Sequence, residues 1–336
     1  MKIIITGGAG FIGLHLIEKL LMLNFEVLVI DNFSTSNEND IKKVELITNK
    51  KVNFYNLNIV KTTELTKIFQ NFSPNIVVHL AGFKYVNESV TNPIIYYENN
   101  VSGTISLLRA MENVDCNNIL FSSSATVYGI PEYLPYDEKH PKKPTNPYGN
   151  TKWIIEKMLM DWCFSDTKRK ALSLRYFNPV GAHKSKLIGE KYNENILNIM
   201  PSICNVINGK QKELNIYGYD YDTKDGTAER DYIHILDLIN AHIRAIEYFK
   251  KLNSGFDAFN IGTNKTLSVL QLVRLFEKIS CSKIPIKFKQ KRVGDLPKFW
   301  ANPKKAMNKL NWKAQYSHDD MCLDTWNYIN EEKSKN

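Results

Sequence analysis

The chain has 336 residues, 43% of them hydrophobic and 24% charged, close to average globular usage, which excludes a disordered, collagen-like or coiled-coil protein. No run approaches the roughly 18 apolar residues that a membrane span requires, and the opening MKIIITGGAGFIG reads as a structural motif instead of a signal peptide, so a cytosolic address with no membrane partner is expected. The net charge of +9 is scattered without a long basic block, which makes nucleic acid an unexpected partner and an anionic small molecule an expected one.

Taken in chain order, short β-branched runs predict strands at Lys2 to Thr6, Glu26 to Ile30, Val52 to Asn56, Ile76 to Leu80, Ile119 to Ser122 and Ala171 to Tyr176. Between them, apolar residues at helical spacing predict helices at Phe11 to Leu23, Glu64 to Phe72, Ile94 to Met111 and Tyr148 to Phe164. This alternation is the pattern of an α/β fold, a doubly wound parallel sheet with helices on both faces. Beyond about residue 178 the rhythm becomes irregular, with helical stretches at Ile196 to Ile207, Leu236 to Phe249, Leu267 to Ile279 and Asp319 to Asn330. The expected division is a dinucleotide-binding domain over 1–178 and a smaller mixed α/β lobe over 179–336, with some segments of the latter returning to the first domain.

Ligands of such sheets sit at the carboxyl ends of the strands, and there the chemistry concentrates. Directly after the first strand, TGGAGFIG places Gly7, Gly10 and Gly13 three apart at the start of a helix, the context that makes a glycine pattern a dinucleotide fingerprint. Gly7 would allow the tight turn, Gly10 the close approach of backbone to a pyrophosphate, and Gly13 the packing of helix on strand. About 20 residues on, Asp31 ends the second strand, where a carboxylate accepts from adenosine ribose hydroxyls; it would repel a 2′-phosphate, and neither Asn32 nor Phe33 supplies a cation to receive one, so NAD is favoured over NADP. Leu80, Ala81 and Gly82 end the fourth strand, and Lys84 follows as a neutralising partner for the pyrophosphate.

The fifth strand ends in Ser122, Ser123 and Ser124, and 24 residues past Ser124 stands Tyr148, with Lys152 one helical turn on. Pro147 suits a first helical position, which puts Tyr148 and Lys152 on one face. Moving a tyrosine from a pKa of about 10 to roughly 7 needs about 4 kcal/mol. A cation about 5 Å away contributes roughly 3 kcal/mol at an effective dielectric of 20, so Lys152 together with an oxidised nicotinamide would depress Tyr148 enough for it to act as a base. The tyrosinate would take a proton from a substrate hydroxyl as hydride leaves for the cofactor, with Ser124 holding the same oxygen.

With these motifs the chain resembles the extended short-chain dehydrogenase/reductase superfamily and, more narrowly, the UDP-glucose 4-epimerases. The stretches that carry the resemblance are TGGAGFIG, HLAGFKYVNESVTNP, YYENNVSGT, FSSSATVYG, NPYGNTK, LRYFNPVGAH, DGTAERDYIHILDL and GDLPKFWAN. It implies that Ser124, Tyr148 and Lys152 are catalytic. Phe11, Ile12, Asn32, Asn58, Ile59, Asn99, Ser122 and Tyr176 would join the glycines, Asp31, the Leu80 to Gly82 strand end and Lys84 around tightly bound NAD. Asn178, Asn198, Tyr217, Arg230, Arg292, Asp295 and Phe299 would bind UDP-glucose and UDP-galactose, the two arginines clamping the diphosphate while Asp295 accepts from the uridine ribose. A homodimer is implied as well, with Ile94 to Met111 and Tyr148 to Phe164 as candidate pairing helices.

Two positions depart from the family's usual residues. Asn58 replaces a common aspartate near the adenine, and its amide oxygen would still accept from the adenine amine. Phe299 is the bulky form at a variable position, which points to exclusion of 2-acetamido sugars. A 4,6-dehydratase would need an Asp-Glu pair where this chain has Ala125 and Thr126. A UDP-glucuronate 4-epimerase and a dinucleotide-binding sensor without turnover remain as alternatives. Cys116, Cys163, Cys204, Cys281 and Cys322 form no CxxC pair and are expected to be reduced thiols, and no His, Cys and carboxylate grouping has metal-ligand spacing, so no metal is expected.

Overall fold

Runs of Ile and Val in the first half of the chain bury both faces, as strands covered by helices on two sides must. In the computed structural model, which describes residues 1–192, 198–292 and 294–334, the order opens β1 (Lys2–Thr6), α1 (Phe11–Met22), β2 (Glu26–Asp31), α2 (Glu38–Thr48), β3 (Asn53–Asn56), α3 (Thr62–Phe72) and β4 (Ile76–His79). A broken helical run follows: α4 (Val86–Thr91), α5 (Pro93–Tyr96), a π-helical turn (Tyr97–Ser102) and α6 (Gly103–Glu112). Then come β5 (Asn118–Ser124), a 3-10 turn (Ala125–Val127), α7 (Pro147–Phe164) and β6 (Lys170–Tyr176). The expected strands and helices of this half are present to within a residue or two, except that the run expected as one helix from Ile94 is interrupted by the π turn. Helix α2 was not foreseen; its sequence is mostly polar, and it buries only a narrow stripe around Ile41 and Val44.

The second half continues β7 (Asn178–Val180), α8 (Ile199–Ile207), β8 (Leu214–Tyr217), β9 (Glu229–His234), α9 (Ile235–Tyr248) and β10 (Gly255–Ile261). It ends β11 (Thr266–Ser268), α10 (Val269–Ser280), β12 (Ile286–Lys289), β13 (Lys298–Phe299), α11 (Lys304–Leu310) and α12 (His318–Lys333). The helix expected from Ile196 begins at Ile199, and residues 196 and 197 lie outside the described residues. The one expected from Leu267 begins at Val269, because Leu267 pairs within β11 and Ser268 caps α10 by accepting from the Gln271 N–H.

Seven strands form one parallel sheet in the order β10-β6-β5-β4-β1-β2-β3. The period of two along β1 divides its core: Ile3 and Ile5 pack with α1, α2 and α9, whereas Ile4 packs with α3, α6 and α7 on the other face. After β3 the chain crosses back to place β4 on the far side of β1, so the loops leaving β1 and β4 diverge and open a crevice. The edge strand β10 belongs to the second half, pairing with β6 from Gly255↔Lys170 to Ile261↔Tyr176. The remaining strands build two small sheets, one in which β9 pairs with β7, β11 and β13, and one of β8 with β12. Among the described residues no helix is long and apolar enough to cross a membrane. All five cysteines are free thiols.

Candidate active site

The crevice is a cavity of about 680 Å³, and an adjoining one of about 600 Å³ shares Lys84, Asn178, Asn198, Arg230, Arg292 and Asp295 with it. Every candidate catalytic, cofactor or substrate residue lines the first cavity except Phe299, which lines the second.

Its floor is the glycine turn. Gly7 has φ +70°, and a Cβ there would stand 2.6 Å from the Ala81 backbone nitrogen, so both conformation and the proximity of the β4 loop demand glycine. Gly13 is tight for a reason other than the expected one: its Cβ would meet the Gly8 carbonyl oxygen at 2.4 Å, packing helix α1 on the turn instead of on a strand. Gly8 is the glycine that meets the strand, with Val29 Cγ1 at 2.8 Å from its would-be Cβ. At Gly10 a Cβ would meet nothing nearer than the Gly7 oxygen at 3.4 Å, so the protein itself does not fill that space. No side chain caps α1, which leaves first-turn N–H groups facing the cavity for an anion. These features fit a dinucleotide diphosphate.

Asp31 Oδ2 accepts from the Ala9 N–H at 2.9 Å, while Oδ1 accepts from the Phe33 N–H at 2.9 Å and the Ser36 hydroxyl at 3.0 Å. A carboxylate offers about four acceptor positions, so Asp31 is held in place with capacity left for a ribose hydroxyl. Asn32 and Asn58 turn their amide oxygens to the Ser34 and Val60 N–H groups, each at 3.1 Å. Lys84 reaches Glu190 at 3.1 Å, a carboxylate that sequence reading did not single out.

Asn99 donates to Asn100 Oδ1 at 3.0 Å. Asn100, also missed, is 1% exposed and ties the cavity wall together: its Oδ1 accepts from the Phe83 N–H at 2.8 Å, and its Nδ2 donates to the Phe83 carbonyl at 3.1 Å and the Thr151 hydroxyl at 3.2 Å. It sits in the π-helical turn, a distortion that recurs at functional sites. The Tyr176 ring lines the cavity, but its hydroxyl is committed elsewhere. His242 Nδ1 is 2.8 Å from the Leu238 carbonyl, which can only accept, so Nε2 accepts in turn from Tyr176 Oη at 2.6 Å. Burial keeps His242 neutral, bringing it down to about 4.

Ser124 ends β5 in extended backbone, and α7 opens with Asn146 as cap, its Oδ1 accepting from the Gly149 N–H at 2.8 Å, and Pro147 in its first turn. Gly149 lets this helix end approach the 3-10 turn, since a Cβ would stand 2.9 Å from the Thr126 carbonyl oxygen. Ser124 and Tyr148 thereby line the same part of the cavity, close enough for the serine hydroxyl to pull on the phenol. One turn on, Lys152 is 4% exposed, donates to the Ser122 carbonyl at 2.7 Å, and lies 5.8 Å from the centroid of the Tyr148 ring. The expected depression of Tyr148 is not what the protein's own groups produce. Burial pushes the phenol above its ordinary value, against the opposing pull of the Ser124 hydrogen bond and the Lys84 cation. Burial likewise brings Lys152 down to about 7, with Glu156 opposing.

At the second half's contribution, Arg292 Nε pairs with Asp295 Oδ2 at 2.7 Å, and its guanidinium lies 4.9 Å from the Tyr217 ring centroid. Strand β13 pairs Phe299 with Arg230 of β9. The Phe299 ring is held between Tyr136 and Phe177, at 5.1 and 5.2 Å between centroids.

A glycine turn after the first parallel strand, an acid at the end of the second, and Ser, Tyr and Lys gathered at the fifth define the class of extended short-chain dehydrogenases/reductases. A family model described as GDP-mannose 4,6 dehydratase matches residues 4–325. The chain is 44% identical over 329 residues to the UDP-glucose 4-epimerase of Bacillus subtilis (strain 168), covering 98% of this chain and 96% of that one. The crystal structure of UDP-glucose 4-epimerase from Bifidobacterium longum, in complex with NAD+ and UDP, matches with a TM-score of 0.96 at 39% identity over 99% of both chains. That of the Stenotrophomonas maltophila enzyme, with bound NAD and formylated UDP-arabinopyranose, matches with a TM-score of 0.96 at 35% identity over 100% of both. The chain belongs to this family of short-chain dehydrogenases/reductases and, within it, to the UDP-glucose 4-epimerases.

Proposed function

We propose that the protein interconverts UDP-galactose and UDP-glucose by inverting carbon 4 of the hexose, with NAD as its resident cofactor. Bound NAD would supply reversible hydride acceptance at carbon 4, with no net redox change over the cycle. Tyr148 Oη receives the proton of the 4-hydroxyl and gives it back. Ser124 Oγ hydrogen-bonds the same sugar oxygen, and Lys152 supplies a cation beside the phenol. The first-turn N–H groups of α1 and the Lys84 ammonium receive the dinucleotide diphosphate, and Asp31 receives its adenosine ribose. Arg230 and Arg292 clamp the diphosphate of the sugar nucleotide, with Asn178, Asn198, Tyr217 and Asp295 around its nucleoside. Directional contacts concentrated on the UDP end leave the hexose free to present either face.

The observation that carries this reading is that Ser124, Tyr148 and Lys152 line one cavity together with the glycine turn, Arg230 and Arg292. Phe299, wedged between Tyr136 and Phe177, supports exclusion of 2-acetamido sugars; turnover of UDP-N-acetylglucosamine at a rate comparable to UDP-glucose would contradict that. Two further readings concern the chain's surroundings. Free thiols and the lack of a membrane-crossing helix among the described residues support a cytosolic address. Exposed apolar side chains on the α4 to α6 run support a homodimer.

The test is to incubate purified protein, without added cofactor, with UDP-galactose. UDP-glucose should form, and Tyr148→Phe should lose on the order of 10²- to 10⁴-fold in rate, the usual contribution of a positioned acid-base group. A 4-keto-6-deoxy product, or bound NAD without conversion, would overturn the proposal.

A further inference from the structure

A hydroxyl has one proton and two acceptor positions, and on a free serine that proton rotates among every acceptor in reach. Ser124 is not free. Its Oγ accepts from the Thr126 backbone N–H at 3.2 Å and from the Thr126 hydroxyl at 2.9 Å. With both acceptor positions filled from the Thr126 side, the proton of Ser124 is left to point away from Thr126, into the cavity that Tyr148 also lines and toward the phenol on which the serine hydroxyl acts. The turn that delivers Thr126 is buried and closed on itself. Ala125 and Val127 are 1% and 0% exposed, the Tyr128 N–H closes the turn on the Ala125 carbonyl at 3.1 Å, and the Thr126 carbonyl abuts Gly149, the residue next to Tyr148.

We propose that Thr126 is a positioning residue for proton transfer: its N–H and hydroxyl together orient Ser124 as an obligate donor to the oxygen at Tyr148. Thr126 works through Ser124 and is not itself the acid or base. The inference rests on the proton-transfer roles given to Ser124 and Tyr148 above. It also has a sign. If the Thr126 hydroxyl were instead the acceptor, Ser124 would point away from Tyr148, and deleting that hydroxyl would release Ser124 and leave the rate unchanged or raised.

The test compares Thr126→Val, which keeps the shape and the N–H but removes the hydroxyl, with Thr126→Ser, which restores it. In the holoenzyme, with NAD content and melting temperature as controls for folding, Thr126→Val should lower kcat about tenfold, less than the 10²- to 10³-fold of losing a direct oxyanion donor. KM for UDP-galactose should stay unchanged, and Thr126→Ser should return kcat to the wild-type value.

A second readout needs no turnover: ultraviolet titration of the Tyr148 phenol, isolated as the difference from Tyr148→Phe. The groups facing Tyr148 are Lys152 on its own helix, Lys84 after β4, Tyr96 on α5 and Tyr176 on β6, and neither Thr126 variant touches them. Thr126→Val should move the phenol titration upward by about one pH unit, the equivalent of that tenfold loss. Wild-type kinetics and titration in both variants, a change confined to KM, or a failure of serine to rescue would overturn the inference. If the wild-type protein did not convert UDP-galactose, the proposed function would fall, while the titration would still decide whether Thr126 orients Ser124.

Discussion

Burial acts with opposite signs on the two ionisable partners of α7. It raises the Tyr148 phenol and lowers the Lys152 ammonium to about 7, so burial by itself works against the tyrosinate and the ammonium that proton transfer uses, and the positive charge of oxidised NAD would be what favours the tyrosinate. For Lys152 this has a consequence for stability. Its ordinary value is 10.5, so between about 7 and 10.5 the unfolded chain holds a proton that the native protein has released, and stability rises with pH through that window. Below about 7 both states are charged and the full burial penalty is present. Lys152→Met removes the penalty; in nucleotide-free protein it should raise the melting temperature most near pH 6 to 7, with a gain that shrinks as pH approaches 10. A gain that grew with pH would contradict the assignment. The residues that were not foreseen, Gly8, Asn100, Thr126 and Glu190, share a reason: each acts on a partner set by the tertiary fold, and short polar or glycine residues carry no pattern that names such a partner.

Among the elements, α7 has the most chemistry at its start. Asn146 caps it, Pro147 occupies its first turn, and Gly149 admits the Thr126 carbonyl. Asn146→Ala should cost about 1 kcal/mol, the usual value of a lost cap, read as a lower denaturant midpoint with activity largely kept. Gly149→Ala should leave helix propensity improved yet lose activity out of proportion to stability, because the added Cβ must push the 3-10 turn, and with it Ser124, away from Tyr148. Equal losses in both variants would mean that Gly149 matters only for folding. The run from Pro93 to Glu112 shows the limit of periodicity. Its apolar spacing is helical throughout, yet the π turn at Tyr97–Ser102 inserts an offset that turns Asn100 inward against Phe83 and Thr151. Periodicity reads which residues are apolar; it does not see the hydrogen bonds that reward a widened turn.

At the scale of the whole molecule, the α4 to α6 run leaves Val90 56%, Ile94 64%, Ile95 40% and Ile105 40% exposed. Four large apolar side chains on one helical run, at the place where pairing helices were expected, mark the face that a second copy would cover in the proposed dimer. Light scattering at micromolar concentration should therefore give twice the chain mass, and Ile94→Asp should shift the protein toward monomer; a wild-type monomer would remove the dimer.

The places of the first six strands along the chain, the glycine turn, Asp31 and the Ser124, Tyr148 and Lys152 set were legible in the amino-acid sequence, because each rests on local rules: period two against period 3.6, glycine where a Cβ cannot fit, a serine at a strand end, and fixed spacing along one helix. Only the tertiary structure decided what depends on contacts between distant segments. It brought β10 from the second half to the edge of the sheet, set Glu190 against Lys84, gave the Tyr176 hydroxyl to His242, and moved the titration of Tyr148 up and that of Lys152 down. Burial and hydrogen-bond partnership are properties of a place in the fold, and that place exists only once residues far apart in the chain have met.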